Sequence, residues 1–357
     1  MHTSAIASPT RQRRTIELVV AALLAVSILS IFWSAQRYPA LLKKLHAGNT
    51  LSIKGAISFD ALLKVSEDMP APERIFRTAT NWLWTNRFGM YFALPFGAAM
   101  MTMLAQTSRP KRFASTSANI LCGSLAGAPA GVCTNCATPI AQSLLVSGAS
   151  TRLTLAAMIS SPSFNPVVLA MAFVLFPMRL AIARVVVPVI LLFLLPLIVK
   201  ESKPKDLGIS LDELPEPPAT RALAFLKTFL RNLFRLTLLT LPWMILAALL
   251  GATAVELIPA YGTHLPVSIV GIVLIAILGT LLPVPMAFDV ALAFVLYRAG
   301  VPVPYVATLL CTLGVVSVYS LFALGQHLGR AVPLKLAAAT ATLGIAVGVL
   351  MMLLPSA

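Results

Sequence analysis

The sequence predicts an all-α polytopic membrane protein with about 8–10 membrane segments, arranged as two inverted repeats with broken or re-entrant helices. Three observations carry this expectation. Of the 357 residues, 58% are hydrophobic and only 11% charged, where a soluble domain carries roughly 25% charge. The apolar runs are about 17–25 residues long, the length of a helical span, and lack the alternation of ten-residue barrel strands. Two of the runs are interrupted by prolines and polar residues, at 133–139 (CTNCATP) and 160–166 (SSPSFNP). Backbone freed by proline at membrane depth has to find partners in protein or in a watery cavity, because lipid offers none. Two such interruptions therefore read as a lined site.

The net charge of +15 has its usual membrane-protein meaning, Lys and Arg in cytoplasmic loops and at lipid headgroups. No nucleic-acid partner is expected. The expected partners are the lipid bilayer and a small-molecule or ion substrate, with a homo-oligomer or accessory protein left open. Cys122, Cys133, Cys136 and Cys311 all lie in apolar stretches, unlike a secreted disulfide framework. The four histidines lie at segment edges or in loops, so a histidine-based metal site within the membrane is not expected.

Taken in order, residues 1–35 read as a cytoplasmic N-terminus and anchor helix. Arg11, Arg13 and Arg14 precede an apolar run over 16–35, longer than the 7–15-residue core of a cleaved signal peptide. Residues 36–88 form an extracytoplasmic or interfacial segment of mixed charge, with Trp82 and Trp84 suited to the headgroup level. A first permease repeat spans 89–199. Within it, 89–106 is a span followed by Arg109, Lys111 and Arg112 on the inside. The stretch 118–147 is too short on either side of its break for two spans, so it is a re-entrant hairpin or a broken helix. Spans at 153–178, interrupted at 160–166, and at 181–199 complete the half. Residues 200–235 are a cytoplasmic linker and a basic amphipathic helix. A second repeat spans 236–357, with apolar segments at 236–258, 267–283, 285–299, 302–326 and 333–354.

Sliding the chain against itself by 152 residues places Cys133 on Pro285, Gly148 on Gly300 and Asn165 on Ser317. With the charged loops inside, the two halves enter the membrane from opposite sides. Inverted repeats whose broken helices meet near the midplane are the build of many secondary transporters.

From 89 to 199 there is no Asp or Glu, and from 223 onward only Glu256 and Asp289. An acid inside the membrane is costly and is by default a functional-site hypothesis. Asp289 is expected to couple a proton or cation or to touch substrate, the bland alternative being a capping carboxyl. Cys133 and Cys136 share a face if helical. A soft metal or metalloid site, a redox pair and simple packing all stand open for them. Asn135 and Pro139 in the first break, Ser160, Ser161, Pro162 and Asn165 in the second, and their counterparts Ser317 and Tyr319 complete the expected pathway, with interhelical hydrogen bonding as the plainer reading.

At Cys-x-x-Cys-x-x-Pro, Gly148-Ala149, SSPSFNP, Pro285-x-Ala-x-Asp289 and Gly300, the sequence resembles the predicted permease family that includes the ArsP-type organoarsenical exporters and the YraQ-type proteins. The family motif often reads Cys-x-Cys, whereas two residues separate the cysteines here. The resemblance implies a multi-pass permease of the bacterial inner membrane with inverted repeats and leaves the cargo open. The basic N-terminus is expected to be cytoplasmic, and the expected function is secondary transport or export of a small solute, a metalloid species such as an organoarsenical being one candidate. No enzyme activity and no cofactor is expected. The sequence carries no G-x-x-x-x-G-K-[ST] loop, so energy would come from a gradient or a partner protein. The rival classes are a membrane thiol redox protein using Cys133 and Cys136, and a non-transporting subunit of an envelope complex.

Overall fold

The computed structural model describes residues 23, 26–39, 42, 62–66, 68–106, 115–199, 221–257, 266–284, 287–298 and 300–354. The basic N-terminus, most of 36–61, the loop 107–114, the linker 200–220, the loop 258–265 and Pro285 lie outside the described residues.

After an N-terminal helix (Val26–Ala35), twelve α-helices follow among the described residues. The first six are α1 (Ala71–Gln106), α2 (Thr116–Gly127), α3 (Thr134–Val146), α4 (Thr151–Ser163), α5 (Pro166–Leu175) and α6 (Met178–Ile198). The second six are α7 (Arg221–Leu257), α8 (Ile269–Leu281), α9 (Phe288–Arg298), α10 (Val303–Thr312), α11 (Val318–Leu328) and α12 (Ala331–Leu353). All regular structure among the described residues is helical.

Among the described residues, three helices are long and apolar enough to cross a membrane: α6, Leu226–Thr253 within α7, and α12. The pair α4 and α5, bent by 43° at its break, would make a fourth. The eight to ten segments expected from hydropathy thus resolve into fewer continuous spans and many half-length helices. At 1.5 Å per residue, α2 and α3 reach only about 18–20 Å, short of the ~30 Å hydrocarbon layer. Two boundaries drawn from charge fall inside helices. Residues 88 and 89 sit within α1, and 235 and 236 within α7. Charge falls away there, but a helix's i to i−4 bonds are indifferent to side-chain polarity. The apolar segment 302–326 is also not one helix, because it breaks at 313–317 between α10 and α11.

The two halves match element by element. Thr151 and Val303 open α4 and α10, Pro166 and Val318 open α5 and α11, and Val146 and Arg298 close α3 and α9, each pair 152 residues apart. The turn glycines Gly148 and Gly300 share a left-handed φ, 81° and 83°, where a side chain would be strained. Packing repeats as well: α2 on α4 and α8 on α10, α4 on α6 and α10 on α12, α5 on α6 and α11 on α12. Across the halves, α3 packs on α11 as α9 packs on α5, while α1 meets α7 and α6 meets α12.

The main core gathers around the breaks, with Trp82, Phe92, Val132, Cys133, Cys136, Phe288, Val315 and Tyr319 buried together. Phe193 and Leu197 on α6, and Leu334 and Leu353 on α12, stand exposed. In an aqueous protein such an apolar surface would be a liability; on span-length helices it is the face that lipid covers.

Candidate functional site

Each half contributes two interrupted helices, and all four interruptions meet. In the first, α2 ends in a single turn over Ala128–Ala130, and Gly131 reverses the chain at φ 59°. The backbone then enters α3 with Cys133 as its N-cap, its sulfur accepting from the Cys136 backbone N–H at 3.3 Å. Cys133 is extended, not helical, so the two thiols meet through capping geometry and not along one helix face. Their sulfurs are 2.7 Å apart, both side chains buried. Gly89 of α1 lies against Cys136 so closely that a Cβ there would overlap its sulfur.

The carbonyls bared by these breaks are met by specific donors. Asn165, N-cap of α5, donates from Nδ2 to the Gly131 carbonyl at 2.8 Å and accepts from the Val167 N–H at 2.9 Å. Ser161 Oγ accepts from the Val132 N–H at 3.1 Å. The N-terminal Trp33 donates from Nε1 to the Pro129 carbonyl at 2.7 Å. Pro139 and Pro162 sit inside α3 and α4, each removing one backbone donor.

The second half is tied in by donors from the first. Pro283 and Val284 lie in the break between α8 and α9. Trp82 Nε1 donates to the Pro283 carbonyl at 2.8 Å, and Asn135 Nδ2 to the Val284 carbonyl at 3.0 Å. Asn135 Oδ1 accepts from Ser317 Oγ at 2.9 Å, and Ser317 caps α11 through a reciprocal pair with Ser320. Thr134 Oγ1 donates to the Gly314 carbonyl. Tyr319 is fully buried in the same core as the two thiols.

Asp289, in the first turn of α9, does not stand alone. Arg184 of α6 donates from Nη2 to its Oδ2, both side chains buried (0% and 5% exposed). Gly314, at φ 78°, backs the carboxyl, and a Cβ there would crowd its oxygen at 3.0 Å.

A cavity lies where these pieces meet, lined by Cys133, Thr134, Pro162, Val284, Asp289 and Gly314, among others. It leaves 10 Å³ for the centre of a water-sized sphere, room for about one water. Cys133, Pro162 and Asp289 therefore line one space, and Asn135, Ser317, Ser161 and Asn165 hold its walls. Cys136, Pro139 and Tyr319 are buried but do not line it. Ser160 is buried with its hydroxyl unpartnered among the described residues. No third His, Cys, Asp or Glu joins the thiols in a metal-sized cluster among the described residues.

With that arrangement established, comparison with known proteins identifies a relative. The UPF0718 protein YraQ of Escherichia coli (strain K12) is 30% identical over 255 residues, 70% of this chain and 71% of that protein. The chain belongs to the UPF0718 family. No family model matches, and no solved structure does. The match covers the YraQ-type branch of the expected resemblance, and the apolar helices make this UPF0718 chain a multi-pass membrane protein.

Three of its site residues escaped the sequence reading: Arg184, Thr134 and Gly314. Arg184 had a usable signal, being a basic residue two turns into the apolar helix α6, beyond Arg179 at its start, as costly there as the acid it meets. Thr134 and Gly314 had none, since their roles depend on a contact 180 residues apart.

Proposed function

We propose that this UPF0718 protein is a permease that moves a small solute across the membrane by alternating access between two inverted halves, with no enzymatic step. The observation that carries the reading is the convergence of four helix interruptions on one buried cavity holding a carboxylate and a thiol. Broken helices at membrane depth are tolerated where they line a site, and paired interruptions in the two halves of a repeat are the usual mark of a transporter's binding site. The reciprocal packing of α3 on α11 and α9 on α5 is the pattern a two-fold axis between halves produces. Location in the bacterial inner membrane follows the same reading.

The contacting thiols of Cys133 and Cys136 favour a soft cargo, such as a trivalent organoarsenical, over a hard metal ion. The test is growth of cells with and without the protein on methylated trivalent arsenic, arsenite, antimonite and copper, repeated with Cys133→Ser and Cys136→Ser together. Cysteine-dependent resistance is the expected result. Equal growth in every arm removes the soft cargo and leaves the cysteines as packing.

A thiol redox role is the second reading, favoured by one feature: Cys133-x-x-Cys136 opens α3, and a helix N-terminus stabilises a thiolate. A transport activity that survives the double serine variant eliminates it.

A further inference from the structure

Arg184 uses little of its hydrogen-bonding capacity. Its guanidinium is fully buried, and Nε and Nη1 have no acceptor among the described residues. A guanidinium keeps its charge and carries five N–H donors. A buried charge with unmet donors is among the costliest features a protein interior can hold. The contact to Asp289 meets one nitrogen of three.

The surroundings supply no other anion. Helix α5, packed between α6 and α9, has no ionisable residue. From α10 come Cys311, buried beside Arg184, and Tyr305, whose hydroxyl is engaged by Pro266 and Ser268. On α4, Arg152 is held by Thr116 and the Val199 carbonyl, while Lys335 on α12 is exposed. Cys133 faces Asp289 across the cavity from α3. Asp289 is thus the lone carboxylate at Arg184 among the described residues, and it also lines the cavity.

We propose that Arg184 is an anion-binding residue, and that a compact monovalent anion binds it together with a proton on Asp289. Charge balance requires the pairing. The empty site is neutral, one guanidinium against one carboxylate. An added anion alone would leave a net negative charge buried, whereas an anion with a proton leaves the site neutral. Protonation moves H⁺ from water onto the Asp289 carboxyl, breaks its charged contact with Arg184, and frees the guanidinium for the incoming anion. In the permease reading, on which only the transport role rests, this couples anion movement to a proton in the same direction.

The test uses the full chain in detergent or nanodiscs, titrated with sodium nitrate at constant ionic strength held by gluconate. Nitrate is planar and keeps one negative charge from about pH 5 to about pH 8.5, so any pH dependence comes from the protein. Nitrate should raise the thermal midpoint. Its apparent affinity should weaken tenfold per pH unit above the pH at which Asp289 gives up its proton, because only the protonated fraction binds, and should level off below it. Asp289→Asn mimics the protonated carboxyl; its midpoint should start lower and be raised by nitrate equally at every pH. Arg184→Gln should show no nitrate effect.

A wild-type response that is absent, or equal at all pH values, overturns the proposal, as does one that survives Arg184→Gln. Should either variant fail to fold, the wild-type pH slope still decides. Binding is read at equilibrium, so nitrate binding without any transport would overturn the permease reading alone, and transport without nitrate binding this inference alone.

Discussion

The two helix interruptions that open α3 and α9 occupy equivalent places in the two halves but solve different problems. Around 131–135 the first half supplies side-chain donors: Thr134 and Asn135, with Trp82 nearby, each bonded to a backbone carbonyl of the second half. Around 282–289 the second half supplies bare carbonyls and the one carboxylate, Asp289. Each carries a left-handed residue, Gly131 in the first and Ala287, at φ 63°, in the second. The repeat therefore sets the backbone, while the chemistry is divided between the halves. Joined at a single cavity, neither half is complete alone.

The sharpest way to test that division is to break its ionic member. Arg184→Leu strands a buried carboxylate and should cost about 3–5 kcal/mol. The loss should shrink as pH falls, because Asp289 can then take a proton and become neutral. Asp289→Asn strands a guanidinium, which cannot neutralise itself, so its deficit should persist at low pH. Combining Arg184→Leu with Asp289→Asn should restore much of the stability. Thermal unfolding of the four proteins across pH checks this, and equal pH dependence in both single variants would refute the pairing.

Much of this arrangement was legible in the sequence. Prolines and small polar residues inside apolar runs marked both interruptions of the first half, Gly148 and Gly300 marked matching turns, and Asp289 was conspicuous among residues that carry no other acid at that depth. What was not legible has a common physical cause. Arg184 acquires its meaning from a partner 105 residues away, and Asn135 from a backbone carbonyl 149 residues away in the other half. Hydropathy counts apolar residues but does not see bends, so which segments run as continuous helices of span length and which are half-length helices is read from the backbone. Hydropathy also placed boundaries within α1 and α7, where the backbone continues unbroken through a change of polarity.

A second difference separates α1 from α7. Helix α1 packs closely on α3, whereas α7 has no comparable contact with α9. Gly89 makes that approach possible, and its counterpart 152 residues on is Leu241, exposed at 48%. Gly89→Ala would press a methyl into Cys136 and should cost about 1–3 kcal/mol, the range for overpacked cores. Leu241→Ala should stay within about 0.5 kcal/mol, as for a surface position. Adding Cys136→Ala to Gly89→Ala should recover part of the loss, which a double-mutant cycle on thermal midpoints would read. An equal cost at both sites would mean that α1 and α7 are held alike.

The smallest effects test what the halves share. Gly148 and Gly300 end α3 and α9 in the same left-handed conformation, and a Cβ added at Gly300 would have no described atom within 4 Å. Alanine at Gly300 is therefore opposed by backbone strain alone, about 1–2 kcal/mol for an L-residue in this region. If the turns are equivalent, Gly148→Ala should cost a similar amount in thermal unfolding, and the double variant should be additive, since the two turns belong to different halves. A much larger loss at Gly148 would show that the first-half turn is constrained by packing that its counterpart lacks. That outcome would extend the asymmetry of the cavity to the far ends of α3 and α9.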